Sequence, residues 1–371
     1  MTRHLLYILL LTTVVLTSCS QGKTQGAEVE GDTLRLKYSR LLTVVDYGKY
    51  RTVDIADPWR EDRTLHRYIL VSDTTANHLP EGTIINVPIH RAMVFTTVHA
   101  SLLADLGAMK AICGMADVRY VKRQDVRRMV ADKIITDLGN SMSPDIEKII
   151  DGNPDMVLVS PFDNSGGYGK LDELHIPIVE CADYMEPAPL ARAEWMKFYG
   201  MLTGHEDEAN ALFEQVETRY NSLKTEASQL KDKPKVVIDL PLGNTWYVPG
   251  GQSTIGQMVA DAGGSYCFAD DSSSGSTALS VETVLDKCAD ADIWLFRYGG
   301  EKKTISMMKE DNKAFEHIKA FKNGNVWGCS TERTTFYETT PFRPDNLLQE
   351  FIAIFHPECP CEMKYFEKIY N

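Results

Sequence analysis

One stretch near the middle of the chain limits the possible folds more than any other. Ala209, Leu212, Phe213, Val216, Tyr220, Leu223, Ala227 and Leu230 recur at three- and four-residue steps. That spacing predicts a single amphipathic helix of about 25 residues, nearly 40 Å long at about 1.5 Å per residue. Lys231-Asp232-Lys233-Pro234 ends it. On both sides the pattern changes to short apolar runs without polar alternation, each followed by a helical stretch. Such runs are strands buried on both faces of a parallel sheet.

The first series places strands at Ala92 to Phe95, Ala111 to Met115, Met156 to Val159 and Ile176 to Val179. Helices are predicted over His99 to Leu106, 143 to 152 and near 169 to 174. The second series places strands at Val236 to Leu240, Ile293 to Phe296 and Val326 to Gly328. Its helices are predicted over Thr254 to Ala262, Val281 to Cys288, near 312 to 320, and from Pro344 to about Phe355. Pro344 suits a first helical turn, where a missing N–H loses no bond. The fold class is therefore α/β: two Rossmann-like lobes with mainly parallel sheets, joined by one long α-helix, plus a small N-terminal β appendage. Residues 33–87 supply that appendage, since 41–45, 50–55 and 65–71 are short β-type runs separated by Asp46-Tyr47-Gly48-Lys49 and Asp57-Pro58. The remaining boundaries are residues 88–187 for the first lobe, 188–233 for the linking helical region and 234–371 for the second lobe.

The start of the chain sets the compartment. Leu5 to Leu16 is almost wholly apolar behind Arg3. The run is shorter than the roughly 20 residues a spanning helix needs and has the length of a signal-peptide core. Leu16-Thr17-Ser18-Cys19 resembles a bacterial lipobox. That resemblance implies cleavage before Cys19, lipidation of its sulfur, and attachment on the periplasmic or cell-surface side of a bacterial membrane. Acyl chains contribute roughly 0.8 kcal/mol per buried methylene. Residues 1–18 are then the lipoprotein signal peptide and 19–32 a polar tether.

The 371 residues carry a net charge of −13, and loss of the signal segment with Arg3 makes the mature chain more negative still. This disfavours nucleic acid and anionic lipid as main partners. With Cys19 lipidated, seven cysteines remain, an odd number in a compartment that permits disulfides. Cys359-Pro360-Cys361 reads as a terminal staple or unrelated thiols in preference to a metal pair, because no further ligands sit nearby.

The two halves also repeat. Ser143, Glu147 and Asn153-Pro154-Asp155 correspond to Ser280, Glu282 and Asp290-Ala291-Asp292, each set opening a helix that leads into an apolar strand. Ser143 and Ser280 are candidate caps. Together with Arg91-Ala92-Met93-Val94-Phe95-Thr96-Thr97, Gly107, and the closing Arg343-Pro344-Asp345-Asn346-Leu347 and His356-Pro357-Glu358, this order resembles the class III periplasmic substrate-binding proteins of ABC importers. Members of that type bind vitamin B12, ferric siderophores or haem. The resemblance runs from about Ile89 to the C-terminus. Segment 33–87 is additional to the family pattern, and the ligand-loop residues match no single ligand subclass.

The resemblance implies an inter-lobe cleft at the carboxyl ends of both sheets. It implies an iron(III) complex, haem or cobalamin as cargo, with no resident cofactor. It further implies an ABC permease dimer with its ATPase as partners, and Glu147 and Glu282 as matched acids that meet arginines on the two permease copies. Strand-end loops nominate the cleft residues: Thr96, Thr97 and His99, Tyr168, Tyr184, Trp246 and Tyr247, Arg297 and Tyr298, and Arg333, Phe336 and Tyr337. Flat rings suit a porphyrin, corrin or catecholate. Arg297, Arg333 and Arg343 offer bidentate forks to carboxylates. His99 is a candidate axial metal ligand, set against the commoner role of a polar group at a helix start. The nine histidines never recur at a metal-ligand spacing on one element, so a chelated metal is favoured over a bare ion.

The residues leave two other classes open, a lipid-anchored enzyme and a surface-adhesive lipoprotein. Against an enzyme, Gly251-Gln252-Ser253-Thr254-Ile255-Gly256 misses the nucleophile-elbow pattern by one position, and Gly22-Lys23-Thr24 lacks the upstream glycine of a phosphate loop.

Overall fold

A computed structural model describes residues 31–73, 75–163 and 167–371. The signal segment, Cys19, most of the tether, and Asn164, Ser165 and Gly166 lie outside the described residues.

Two parallel sheets form the lobes. In the first, the strands run in the order Ile178–Glu180, Met156–Val159, Ala92–Val94, Ile112–Met115, Thr136–Asp137, all parallel. In the second the order is Phe366–Lys368, Val326–Ser330, Ile293–Tyr298, Lys235–Ile238, Ser265–Tyr266, with only Phe366–Lys368 antiparallel. Four strands of each lobe follow the same order, and each lobe adds one strand at an opposite edge. The buried runs Met93, Val157 and Leu158, and Val237, Trp294 and Leu295, explain the absence of polar alternation in the sequence.

The repeat has a physical basis in two aspartates. Asp155 Oδ2 accepts the N–H groups of His90 (2.7 Å) and Arg91 (2.8 Å), and Asp155 N–H donates to Arg91 O. Asp292 Oδ2 accepts the Lys235 N–H at 2.8 Å, and Asp292 N–H donates to Lys235 O. In each lobe the residue just before a central strand fastens the start of its neighbour. Charge-assisted bonds of this kind are stronger than neutral ones.

The bridging helix spans Glu206–Ser228, 23 residues, and buries Ala209, Phe213, Val216, Tyr220 and Ala227. It packs on helices Met196–Thr203 and Pro344–Phe355. Arg219 donates to Asp345 and Asn346, both at 2.8 Å, and Tyr220 donates to Asp261 at 2.7 Å, so the rod is bonded to the second lobe just beyond its midpoint.

The N-terminal sheet holds five strands, Asp32–Leu34, Leu42–Asp46, Tyr50–Ala56, Thr64–Val71 and Thr83–Asn86; the last pair is parallel. It is more tightly joined to the fold than an appendage. The buried carboxylate of Glu194 accepts the N–H groups of Lys37 (2.9 Å), Tyr38 (2.7 Å) and Ser39 (2.9 Å). Glu186, also buried, accepts those of Arg40 and Leu41 (both 3.1 Å) and the Trp195 indole (2.8 Å). Leu42, Val44, Val53 and Tyr68 share one apolar core with both lobes. Burial alone would raise the Glu194 carboxyl, but the N–H groups of Lys37, Ser39 and Tyr38 and the Lys197 ammonium outweigh it and hold it below the usual glutamate range.

Several local expectations change. Helix Ile146–Gly152 is capped by Asp145, whose side chain accepts the Lys148 N–H, and Ser143 instead sits in a two-residue strand; Ser280 does cap helix Val281–Cys288. Asp reaches the third N–H of a helix as well as Ser does, so proximity decided. The segment predicted as a helix near 312–320 folds as a 3-10 turn Lys313–His317 and a short helix Lys319–Lys322, and a separate helix Ile305–Asp311 that was not foreseen precedes them. A separate antiparallel sheet, Pro241–Leu242, Thr245–Pro249 and Ser276–Ser280, was not foreseen.

Candidate functional site

A cleft of about 720 Å³ opens between the lobes. The first lobe contributes Phe95, Thr96, Thr97, Asp117, Arg119, Tyr120, Lys122 and Ser141; the second contributes Thr331, Glu332, Thr334, Tyr337 and Glu338. These are loops at the carboxyl ends of strands Ala92–Val94, Ile112–Met115 and Val326–Ser330, where α/β sheets take ligands. Thr96 caps helix Thr97–Asp105 by accepting the His99 N–H at 3.3 Å. Asp117 turns the chain with φ 54° and accepts the Ser141 hydroxyl at 2.6 Å. Beyond it the Arg119 guanidinium lies over the Tyr120 ring at 4.6 Å. Arg119 Nη2 stands 3.9 Å from Asp117 Oδ1, so its fork is left largely to the solvent.

The lobes meet at the edge of this cleft. Glu338, on the short helix Phe336–Thr339 of the second lobe, is 3% exposed. Its carboxylate accepts the Lys122 N–H at 2.6 Å and the Arg123 N–H at 3.0 Å. Burial raises this carboxyl above the usual range, and the two N–H groups offset the shift only in part. Phe336–Thr339 packs against helix Thr97–Asp105, and Arg123 donates to the Ser101 carbonyl at 3.1 Å on that helix.

Of the residues nominated from the sequence, Thr96, Thr97 and Tyr337 line the cleft. Phe336 is buried beneath Tyr337 and packs edge-on against Tyr365 and Phe366. The Arg297 fork is already filled by Asp239, with Nε to Oδ1 at 3.0 Å. It borders a smaller hollow of about 140 Å³ with Arg192, Thr254 and Tyr337. Tyr298 donates to Glu367 at 3.0 Å and accepts from Arg333 at 2.7 Å, and Arg333 also bonds Glu367. Arg343 is held by Asp345. Tyr168 donates to Glu180 at 2.8 Å, and Tyr184 donates to the Pro161 carbonyl.

Three nominations are corrected by burial and direction. Trp246 is 0% exposed, packs on Trp294 and Phe315, and donates to the Ile238 carbonyl at 3.0 Å; it is a core residue. Tyr247 is 50% exposed but stands with Leu242 on the outer face of the three-stranded sheet, away from the cleft lining. His99 is buried, with Nε2 3.0 Å from Asp183 Oδ1 and its ring against Tyr199, and is not presented to a ligand as an axial donor. Burial would raise the Asp183 carboxyl, but Arg192 and His99 outweigh it and hold it below the usual range. Glu147 and Glu282 are both exposed in the first turns of their helices. Among the described residues no three His, Cys, Asp or Glu side chains are grouped as a metal-ligand set.

The sequence reasoning passed over Asp117, Arg119, Tyr120, Lys122, Ser141, Glu332 and Glu338. Their signal is partly present in the sequence: segment 116–122 is another strand-end loop, after Ile112–Met115, and carries the ring of Tyr120.

The family model described as periplasmic binding protein matches residues 95–332. An uncharacterised lipoprotein of Methanocaldococcus jannaschii is 32% identical over 287 residues, covering 74% of this chain and 67% of that one. A second lipoprotein of the same organism is 26% identical over 384 residues, covering 96% and 93%. Among solved structures, S. aureus IsdE complexed with haem shares the fold at a TM-score of 0.57 and 19% identity, over 72% of this chain and 99% of that one. A periplasmic haem-binding protein from Pseudomonas aeruginosa does so at 0.60 and 13%, over 76% and 99%. Two lobes with matching strand order, one bridging helix and a family match over most of the chain lead to one conclusion: this protein belongs to the class III periplasmic binding proteins.

Proposed function

We propose that this protein is the lipid-anchored solute-binding component of an ABC importer, and that its cleft carries an iron(III) complex, as a siderophore or haem, or cobalamin. The observation that carries the reading is the composition of the cleft. Tyr120 and Tyr337, each about half exposed, offer flat faces from opposite lobes, and Arg119 and Lys122 supply cations beside them. A planar chelate bearing carboxylates fits rings and cations together. The volume lies within the range of roughly 300–1,000 Å³ of small-molecule sites. The haem and ferric-hydroxamate proteins among the structural neighbours support the same class of cargo. The work of the protein is capture and release, without bond-making. Cys19 holds the lipid, and Glu147 and Glu282 face arginines on the permease.

The test is titration of purified protein with haem, cobalamin and ferric siderophores, followed by absorbance and native mass spectrometry. One of them is expected to form a one-to-one complex and to raise the melting temperature by mass action. Absence of any complex, or consumption of the added compound, overturns the reading.

A further inference from the structure

Two buried thiols in the second lobe lie in one interface. Strand Ser265–Tyr266 pairs in parallel with Lys235–Val236, and the Cys267 N–H continues the ladder to the Val236 carbonyl at 3.1 Å. Paired residues share a face of the sheet and the faces alternate along a strand, so Lys235, Ser265 and Cys267 face the same way. Lys235 Nζ on that face reaches the Lys287 carbonyl at 3.0 Å, which puts helix Val281–Cys288 over it. Cys288 ends that helix and is 0% exposed; Cys267 is 5% exposed. The neighbouring Cys267 thiol and burial together push the Cys288 thiol above its usual range. Both are free thiols in the structure.

We propose that Cys267 and Cys288 form a disulfide bond when the protein folds in the presence of a small-molecule disulfide. The bond joins the two sulfurs, the cysteines give up two protons and two electrons, and the oxidant's sulfur–sulfur bond is cleaved to two thiols. Exchange needs a thiolate that meets the oxidant, and both sulfurs are buried in the finished fold, so the link closes during folding or when the short edge strand Ser265–Tyr266 opens locally. Once closed, it staples that edge strand to the helix whose first turn carries Glu282, and so fixes one rim of the second lobe. The proposal takes its setting, though not its geometry, from the extracytoplasmic reading.

The test is to unfold the purified protein, refold it in oxidised and reduced glutathione, alkylate it under denaturing conditions and map its peptides. Wild type is expected to be lighter by two hydrogen atoms than the reduced protein and to yield one cross-linked peptide pair holding Cys267 and Cys288. The oxidised form is expected to melt several degrees above the reduced form; Cys267→Ser and Cys288→Ser each remove both the cross-link and that difference. The wild-type map needs no variant to fold. Recovery of both cysteines fully alkylated, or linked instead to Cys113, Cys181, Cys329, Cys359 or Cys361, overturns the proposal. Alkylation trapping in intact expressing cells separates the two readings: a link that closes in the refolding mixture and is absent in cells counts against the compartment and not against the pair.

Discussion

The Glu338 carboxylate accepts the Lys122 backbone N–H at 2.6 Å across the boundary between the lobes. Both residues line the cleft, so one bond ties the cleft's geometry to the relative position of the lobes. Glu338→Ala leaves two part-buried N–H groups without their carboxylate partner. A hydrogen bond to a charged group contributes about 1.5–3 kcal/mol and an orphaned donor costs about 1–3 kcal/mol. The variant is expected to lose about 1–3 kcal/mol in a denaturant titration and to bind more weakly whichever of the three candidate cargoes the wild type takes. A midpoint equal to wild type would show that the contact carries no weight.

The buried carboxylates divide the pH range. Glu194 is held below the usual glutamate value of about 4.3. Its contribution is therefore full above that value and is lost as pH falls through its lowered folded value. Glu338 and Glu350 are raised, first by burial. Their contribution is full below about 4.3 and is lost as pH rises through their folded values. Acidification below about pH 4 is expected to expose the amides of Lys37, Tyr38 and Ser39 in hydrogen exchange before those of Tyr365 and Phe366, which Glu350 holds at 3.0 Å. The reverse order would sink the assignment.

Trp246 should behave as a core residue. Trp246→Ala removes a fully buried indole and its bond to Ile238, and such truncations cost about 3–5 kcal/mol. The melting temperature falls steeply, while cargo affinity of the remaining folded protein is unchanged. Lost affinity at full stability would return Trp246 to the cleft.

Arg119 and Lys122 should carry the anionic part of a ligand. Arg119→Glu with Lys122→Glu is expected to weaken binding of the cargo that the wild type takes by about tenfold or more, on the order of 1.4 kcal/mol, and to flatten its salt dependence. Thermal stability changes little, because the Arg119 side chain is 64% exposed. Equal affinity in isothermal titration would remove both cations from the site.

Charge reversal at Glu147 and Glu282 together is expected to abolish cargo delivery in cells and leave cargo affinity intact, since both lie on exposed helix starts outside the cleft lining. Weakened binding in the purified double variant would refute the docking role.

The parts legible from sequence were those governed by short-range periodicity. Apolar runs such as Met156–Val159 and the spacing of Phe213, Val216 and Tyr220 gave the sheets and the bridging rod, because burial dictates residue type locally. The strand-end rule reached Thr96, Thr97 and Tyr337. It failed at Trp246 and Tyr247, since adjacent strand residues point to opposite faces and ring chemistry does not say which face is the core. It also failed where the partner is remote: His99 meets Asp183, 84 positions away, and Glu338 meets Lys122, 216 positions away. Such pairings are created by the fold and leave no periodic trace.

The carboxylate latches of the N-terminal sheet have a mechanical consequence. Tension on the chain ahead of Gly31 enters through strand Asp32–Leu34 and passes through the amides of residues 37–41 to Glu194 and Glu186. None of those groups borders the cleft. A molecule tugged at its leash would bear the strain along this seam, leaving the jaws that grip its load undisturbed.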